Sequence, residues 1–283
     1  MSHYKRLFLF AGFNADGKID DALVYYIQNL AKFGDVILCM DSNCPIKELN
    51  KVKEFTIARF AKRHGEYDFG SYKRGFQYAY DNNILKDYDV LYLVNDSVYG
   101  PTIDLTNTIQ SIEQIPTDAA SITVSKHKTH IFMESWFIRL NKNIFTAIWF
   151  NNFMQNVTHE KNKADITVKY EHVLSNLIRD NVLSWSGLFI KYGRFTYNRP
   201  KYLFKHRCPF IKKMSFTRHN GALGRQIKYI LNHCDTNAKK AIINSANELY
   251  GKQYMLWFLT TNPIKTGFRA IKYALQKIKN GGI

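Results

Sequence analysis

Apolar runs alternate with polar and turn residues along the first two thirds of the chain. The segments that read as strands are RLFLFAGF (6–13), DVILCMD (35–41), EFTIARF (54–60), DVLYLVND (89–96), AASITVS (119–125) and HIFMESWFIRL (130–140). Between them, residues 22–33 and Gly70–Asn82 carry apolar side chains at helical spacing. Buried strands alternating with helices predict an α/β protein with a parallel or mixed sheet covered on both faces.

Two further helices are predicted nearer the C-terminus. Asp165–Asn181 has an apolar stripe, and Glu171 lies near its start. An acid there either favours the helix dipole alone or has a chemical role. In the tail, one helical face is formed by Ile264, Phe268, Ile271, Leu275 and Ile278, with Lys265, Arg269, Lys272 and Lys279 beside and opposite it. Such a helix either docks on the body or lies at a membrane surface.

Two of the predicted strands end in an acid, at Asp41 and at Asp96. The second acid stands in Asn95-Asp96-Ser97, which precedes a Tyr-Gly-Pro turn. Asp and Asn often cap turns by accepting local backbone hydrogen bonds. The alternative is that both acids lie at the carboxyl edge of the sheet, where α/β proteins bind ligands.

A glycine-containing loop precedes the strand that ends at Asp96 by one helix. Gly65 and Gly70 allow tight turns, and Arg63 and Lys73 supply positive charge near the start of that helix. Helix starts with nearby basic residues bind anions, although a solvated basic face is the simpler interpretation. A nucleotide-sugar site needs such a loop for the diphosphate, together with carboxylates and a base.

Composition and charge narrow the class of protein. The chain has 283 residues, and its 46% hydrophobic content excludes a disordered protein. Four cysteines without metal-ligand spacing predict free thiols. The N-terminal apolar run is too short for a signal peptide, and no segment has the length of a membrane span, so we expect a cytoplasmic protein.

The formal net charge of +17 is concentrated in the C-terminal part of the chain. Residues 199–283 contain 17 Lys and Arg against two acids, whereas residues 1–198 contain 23 bases and 21 acids. We therefore predict a catalytic domain over 1–198 and a basic, mainly helical extension over 199–283. Different partners are expected for the two parts.

The stretches GEYDFGSYKRG, LVNDSVYGP, ESWFIRL and YEHVLSNLI resemble the rhamnan synthesis protein F family over about residues 5–215. The resemblance implies a glycosyltransferase of cell-surface polysaccharide assembly, such as capsule or O antigen, with a GT-A-like fold. It implies an inverting transfer from a nucleotide-diphosphate sugar, with dTDP-L-rhamnose as the donor, to a lipid-linked glycan. The protein would then act at the inner, anionic face of the membrane.

The resemblance also assigns roles to residues. Asn95-Asp96-Ser97 stands where these enzymes have a DxD motif, and Glu171 stands where they have the catalytic base. The donor would be bound by those three residues together with Asp41, Arg63, Gly65, Tyr67, Asp68, Gly70 and Lys73. Only Asp96 is acidic in the DxD-like triplet, so Mg²⁺ or Mn²⁺ would depend on that carboxylate.

Other assignments stay open at this point. His130 and Trp136 are predicted on the acceptor side, although aromatic residues in strands are more often part of the core. A transferase fold that has lost catalysis and acts in assembly is one alternative function. A basic nucleic-acid-binding protein is another, but no nucleic-acid-binding motif is present and we expect no nucleic-acid partner. The sequence does not predict an oligomeric state.

Overall fold

The computed structural model describes residues 4–160, 167–218, 223–268, 271 and 275, and the chain forms two compact units. The first unit comprises Met1–Asp96 and Thr106–Gly193, and the second comprises Ser97–Leu105 and Arg194–Ile283. The strands are β1 (Arg6–Gly12), β2 (Asp35–Met40), β3 (Ala58–Ala61), β4 (Val90–Asn95), β5 (Val98–Tyr99), β6 (Ala119–Lys126), β7 (Ile131–Met133), β8 (Phe137–Asn141), β9 (Trp185–Tyr192) and β10 (Ile211–Lys212).

Besides the tail helix, the described residues contain twelve α-helices. They are α1 (Asp21–Leu30), α2 (Ile46–Leu49), α3 (Tyr67–Asp81), α4 (Thr106–Glu113), α5 (Lys142–Phe145), α6 (Ile148–Gln155), α7 (Val173–Asp180), α8 (Phe195–Asn198), α9 (Pro200–Lys205), α10 (Leu223–His233), α11 (Thr236–Tyr250) and α12 (Lys252–Phe258). Short 3₁₀ helices span Asn50–Phe55, Leu85–Asp87 and Lys213–Phe216, and a π-helix spans Thr167–His172.

The first unit is built on one mixed sheet of eight strands. The strand order is β3-β2-β1-β4-β8-β6-β7, and β9 pairs with β6. Strands β3, β2, β1 and β4 are parallel neighbours, whereas β8 runs antiparallel to both β4 and β6. Every residue of β4 is buried, as expected for a strand covered on both faces. The predicted α/β class, with a mixed sheet flanked by helices, is confirmed.

Helix α3 packs on β1 and β2 through residues three or four positions apart. Phe69, Tyr72, Phe76 and Ala79 are buried on that face. A Cβ at Gly75 would lie 3.3 Å from the Leu9 side chain, so the small residue lets the helix approach the sheet closely. Burying a side chain the size of Phe76 stabilises the fold by about 1.5–3 kcal/mol.

Local boundaries differ from the sequence-based ones in several places. The strand predicted over 54–60 is β3, which begins only at Ala58, after a 3₁₀ helix that ends at Phe55. Helix α3 begins at Tyr67, three residues earlier than predicted. HIFMESWFIRL is not one strand but β7 and β8, separated by residues 134–136, and both strands pair with β6. The helix predicted over Asp165–Asn181 begins, in the described residues, as the π-helix and continues as α7.

The second unit is mainly helical. Its two strands, β5 and β10, form a small antiparallel sheet, and helices α8–α12 supply most of its buried apolar residues. Asp235 caps α11 by accepting hydrogen bonds from the backbone N–H groups of Asn237 and Ala238 at 2.8 and 3.1 Å. The unit holds 18 basic and three acidic residues, a formal charge of +15, so the charge asymmetry of the sequence follows the division into units.

Part of the predicted tail helix lies in the described region. Residues 263–268 are helical, and the side chains of Ile264, Phe268, Ile271 and Leu275 are 59–70% exposed. Ile278 and the basic residues 269, 272 and 279 lie outside the described residues. Among the residues that are described, no helix is long and apolar enough to span a bilayer.

Candidate active site

The topology of the sheet marks one edge as the place for a ligand. From β1 the chain proceeds outward to β2 and β3, and it then returns to place β4 on the other side of β1. Open α/β sheets bind their ligands at such a reversal, beyond the carboxyl ends of the strands, which here are β1 and β4. The backbone N–H of Phe13, which follows β1, donates to Asp96 Oδ2 at 3.3 Å across this point.

Asp96 lies half-buried directly after β4, and its backbone N–H donates to the carbonyl of Ala11 at 3.1 Å. The DxD-like triplet is divided, however, because Ser97 belongs to the second unit. There, Lys212 Nζ lies 3.2 Å from Ser97 Oγ and donates to it. Within the first unit, the sheet edge therefore contains Asn95 and Asp96 of the predicted three residues.

Asp41 is only 4% exposed and organises the loop before α3. One carboxylate oxygen accepts the backbone N–H groups of His64 and Gly65 at 2.7 and 2.9 Å, and the other accepts from the Arg63 guanidinium. Burial by itself would raise the pKa of Asp41, but these donors outweigh burial and hold the pKa below its usual value. Asp41 is therefore an ionised residue with a structural role in this loop.

The loop presents Arg63 and Tyr67 to solvent. Half of the Arg63 side chain is exposed, at 52%, and its guanidinium carbon lies 5.0 Å from the centre of the Phe13 ring. Tyr67 is exposed and has a φ of 55°, which is uncommon for a residue with a side chain. Such backbone strain persists where the surrounding structure enforces it and is often found at functional sites. Gly65 has a φ of 73°, a backbone conformation that glycine adopts easily and that a tight turn here requires.

Gly70 contributes close packing to this loop. A Cβ at this position would lie 2.2 Å from Glu66 Cβ and 2.9 Å from the His64 ring. Arg74 Nη1 donates to Glu66 Oε2 at 2.7 Å and to the Gly70 carbonyl at 2.8 Å. Burial, together with the nearby Arg74 charge, lowers the pKa of His64 to about 4, so this histidine is neutral at pH 7.

Lys73 has partners other than the predicted diphosphate. Its Nζ donates to the carbonyls of Gln155 and Val157, at 2.9 Å each. These carbonyls lie at the C-terminal end of α6, where orphan carbonyl groups favour a cation. The helical position of Lys73 in α3 directs it toward this neighbouring helix, a contact that spacing along the sequence could not predict.

A series of neighbouring polar groups connects the end of β4 with Glu171. Asn95 Nδ2 donates to Asp68 Oδ2 at 2.9 Å, and the Asn95 amide is near enough to the Tyr72 hydroxyl to affect its pKa. That hydroxyl donates to the Ser135 carbonyl at 2.9 Å. Ser135 in turn donates to Glu171 Oε1 from its backbone N–H at 3.1 Å and from its hydroxyl at 2.5 Å.

This series brings together Asp68, Asn95 and Glu171, which were predicted site residues, and adds two that were not. Tyr72 and Ser135 lie within the stretches GEYDFGSYKRG and ESWFIRL, so the motifs that carried the resemblance contained both. Neither residue type signalled its role, because a buried tyrosine and a serine between strands are ordinary structural residues. The pKa of Tyr72 is raised by burial first and then by the negative charge of Asp68, so its hydroxyl remains a proton donor.

Glu171 lies in the π-helix rather than at the start of an α-helix. Single turns of π-helix are rare and occur frequently at functional sites. Two donors from Ser135 fix the position of one Glu171 carboxylate oxygen. A carboxylate held in this way suits a general base, because its orientation is set before the substrate binds.

The two residues predicted on the acceptor side have different environments. Trp136 is 2% exposed and its Nε1 donates to Thr123 and Glu134 at 2.8 and 3.0 Å, so it is a core residue and does not line a groove. His130 is exposed and belongs to a group of rings with His127, Phe132 and His172, whose centres lie 4.2–6.2 Å apart. Burial and the neighbouring histidines lower the pKa of His172.

The site chemistry restricts what metal could bind. Within the described residues, no group of three or more His, Cys, Asp or Glu side chains is placed to hold a metal ion. Mg²⁺ commonly takes one or two carboxylates and completes its coordination with phosphate oxygens and water. The carboxylate of Asp96 at the sheet edge fits that arrangement, whereas a site made of protein ligands alone does not fit.

Polar and charged residues gathered at the switch point of an α/β sheet mark the usual position of a ligand site in this class of fold. The chain belongs to the rhamnan synthesis protein F family, whose family model matches residues 36–275. This membership confirms the family resemblance and, with it, the predicted enzyme class, a glycosyltransferase.

Several solved structures are remotely similar. CMP:2-keto-3-deoxy-manno-octonic acid synthetase complexed with CTP is 9% identical, with 67% of this chain and 90% of that chain covered and a TM-score of 0.39. Core-mannan synthase A from Aspergillus fumigatus, in an Mn/GDP form, is 9% identical over 67% and 73%, with a TM-score of 0.38. The glycosyltransferase GlyE from Streptococcus pneumoniae TIGR4 is 14% identical over 88% and 64%, with a TM-score of 0.40.

None of the curated protein sequences compared with the chain matches it. These TM-scores are too low for a residue of a solved structure to indicate the role of a residue in this chain.

Proposed function

We propose that this glycosyltransferase moves a sugar from a nucleotide-diphosphate donor to a growing cell-surface polysaccharide, with inversion at the anomeric carbon. The family and its name favour L-rhamnose, supplied as dTDP-L-rhamnose. The observation that carries the proposal is the series of polar groups Asn95, Tyr72, Ser135 and Glu171, in which Tyr72 hydrogen-bonds Ser135 and Ser135 hydrogen-bonds Glu171. It links Asn95, which would bind the sugar donor, with the candidate base Glu171, and both residues belong to the first unit.

The donor would lie beyond the carboxyl ends of β1 and β4. Arg63 is half exposed beside Phe13 and supplies positive charge for the diphosphate. Asp96 would hold a divalent cation there, and that cation would neutralise charge on the departing diphosphate. Asp41 acts indirectly by fixing the loop that carries Arg63, since its own oxygens accept hydrogen bonds from that loop.

Glu171 would remove the proton from the acceptor hydroxyl. The acceptor oxygen would then form a bond to the anomeric carbon while the bond from that carbon to the diphosphate breaks. The nucleoside diphosphate leaves with the electron pair, and Glu171 retains the proton until solvent removes it. A single displacement of this kind inverts the anomeric configuration.

The decisive experiment is a donor panel. Purified full-length protein is incubated with dTDP-L-rhamnose and with UDP-, GDP- and CMP-linked sugars, and nucleotide release is followed with and without a glycan acceptor. We expect release from one donor class, increased by acceptor, and loss of that release in Asp96→Ala at unchanged melting temperature. Thermal stabilisation by a donor without any turnover would favour the assembly subunit that has lost catalysis.

Metal dependence is tested separately in the same assay. If Asp96 holds a divalent ion, EDTA should abolish nucleotide release and added Mg²⁺ or Mn²⁺ should restore it. A rate that EDTA does not change would refute the metal role of Asp96 while leaving the transferase proposal intact. Binding to duplex or single-stranded nucleic acid at physiological salt, with no response to any donor, would instead favour the nucleic-acid alternative.

We further propose that the second unit contacts an anionic membrane surface, where a lipid-linked acceptor would be found. Arg225 Nη2 donates to Thr266 Oγ1 at 2.9 Å, so a polar residue of helix 263–268 faces α10. On the same helix, Ile264 and Phe268 are 69% and 70% exposed. This orientation supports an interfacial helix over a helix docked by its apolar face, and the +15 charge of the unit favours anionic lipids.

A further inference from the structure

A concave site lies in the first unit, at the edge of the sheet opposite the candidate active site. It is a cavity of about 600 Å³ near the start of β4 and the end of β8. Ligand pockets in proteins typically have volumes of about 300–1,000 Å³. Because β4 has six residues, its two ends are about 17 Å apart, so this cavity is separate from the candidate active site.

Arg139 of β8 lines the cavity and is only 3% exposed. Its Nη2 donates to the Thr117 carbonyl at 2.8 Å, and its Nη1 donates to the Asn141 side chain. Its Nε is buried and has no hydrogen-bond partner. Its two terminal nitrogens are held by the protein, and the guanidinium has a fixed position at the cavity wall.

Arg139 also belongs to the ESWFIRL stretch, which the proposed transfer reaction uses only in part. Ser135, before β8 begins, contacts Glu171 at the carboxyl end of β4. Because β8 runs antiparallel to β4, Arg139 pairs with Tyr92 and Asn141 pairs with Val90, near the other edge. One motif therefore supplies residues to both edges of the sheet.

The chemistry of the cavity wall selects a class of ligand. The wall contains three carboxylates, those of Asp89, Glu113 and Asp118, and two cations, Arg139 and Lys142. Glu113 is already paired with Arg6, so the wall is close to neutral and does not select a charged ligand. Amide and hydroxyl groups supply further donors and acceptors, and the rings of Tyr4 and Pro116 supply small apolar surfaces. This combination suits an uncharged molecule with many hydroxyl groups and a few C–H faces.

We propose that this cavity binds a saccharide unit of the glycan, apart from the site of transfer, with a sugar oxygen close to Arg139. The identification of the saccharide as glycan rests on the proposed function. A second attachment point would keep the growing chain on the enzyme between transfers, because release from one site would leave the other occupied.

The test is direct binding of a rhamnose disaccharide, measured by calorimetry and ligand-observed NMR with full-length protein and no donor. Asn143 is exposed on the cavity wall, so Asn143→Trp should block the cavity without disturbing the core. Its matched control is Asn107→Trp, at an exposed position of α4 that does not line the cavity. We expect Asn143→Trp to weaken binding at least about tenfold, the equivalent of one lost hydrogen bond, and Asn107→Trp to leave it unchanged.

The outcomes separate this site from the active site. Binding that survives in Asp96→Ala and Glu171→Gln, but is lost in Asn143→Trp, supports the second site whether or not donor turnover is found. Saccharide binding that Asn143→Trp leaves intact, or that Asp96→Ala abolishes, overturns it. So does the absence of saccharide binding to a folded wild-type protein, or stabilisation by MgCl₂ alone in place of saccharide.

Discussion

Replacing Asp41 by Asn tests whether this acid acts as a structural residue of the loop. The substitution keeps the shape of the side chain but removes its charge, and the new amide group brings N–H donors toward a loop that already supplies donors. Three donors, from Arg63, His64 and Gly65, would lose a charged acceptor that is 4% exposed. Charge-assisted hydrogen bonds exceed neutral ones by about 1 kcal/mol each, so we expect a loss of about 2–4 kcal/mol in unfolding free energy.

The measurement is urea unfolding at pH 7, with Asp87→Asn as the control. Asp87 is exposed, and substitutions at such positions usually change stability by less than about 0.5 kcal/mol. The pKa of Asp41 is lowered in the folded protein, so its contribution is complete above the pKa of the unfolded carboxyl, near 3.8. That contribution is lost as the pH falls through the folded pKa. The difference between wild type and Asp41→Asn should therefore be constant from about pH 5 to pH 7 and should shrink below about pH 4.

Two results would refute this reasoning. A loss of less than about 1 kcal/mol at pH 7 would mean that the loop does not depend on the carboxylate. An unchanged stability combined with abolished donor binding would return Asp41 to the donor-binding role predicted from the sequence.

The remaining predictions concern the reaction and the membrane. Glu171→Gln should lower kcat by about 10²- to 10⁴-fold with donor affinity unchanged, and a loss confined to KM would indicate a binding role. Ser135→Ala removes the hydroxyl that donates to Glu171. We expect kcat to fall about tenfold to a hundredfold and Ser135→Thr to restore it, whereas a purely structural role would lower the melting temperature of both variants. The full-length protein should bind anionic vesicles at low salt and less tightly at high salt, since salt screens surface charge. Ile264→Glu combined with Phe268→Glu should prevent that binding at unchanged donor hydrolysis, and equal binding by the double variant would refute the interfacial helix.

Local patterns in the sequence were sufficient for the α/β class and for most elements of the first unit. Strands β1, β2 and β4 were predicted because their apolar runs are long and end at polar residues. The sequence alone also showed that the positive charge is concentrated in the C-terminal part of the chain, because counting charged residues requires no structure. Membership of the family came from short stretches whose residues are contiguous along the chain.

The partners of the individual side chains depended on the tertiary structure. The sequence placed Lys73 with the diphosphate-binding residues, but its ammonium caps α6, 82 and 84 residues further along the chain. Ser135 was not predicted at all, because its importance comes from the break between β7 and β8, two strands that pair in succession with β6, and from its contact with Glu171.

What the sequence by itself determined was therefore the kind of protein: a mixed α/β transferase fold, a basic helical tail and acids that follow buried strands. What only the tertiary structure decided was which polar groups meet. Asp41 is buried and holds a loop, and Trp136 lies in the core. Asn95, Tyr72, Ser135 and Glu171 lie next to one another although they are far apart in the sequence. The physical reason is that hydrophobic periodicity is a local property, whereas a hydrogen bond needs two groups within about 3 Å. Sheet order and strand direction, rather than sequence separation, determine that distance.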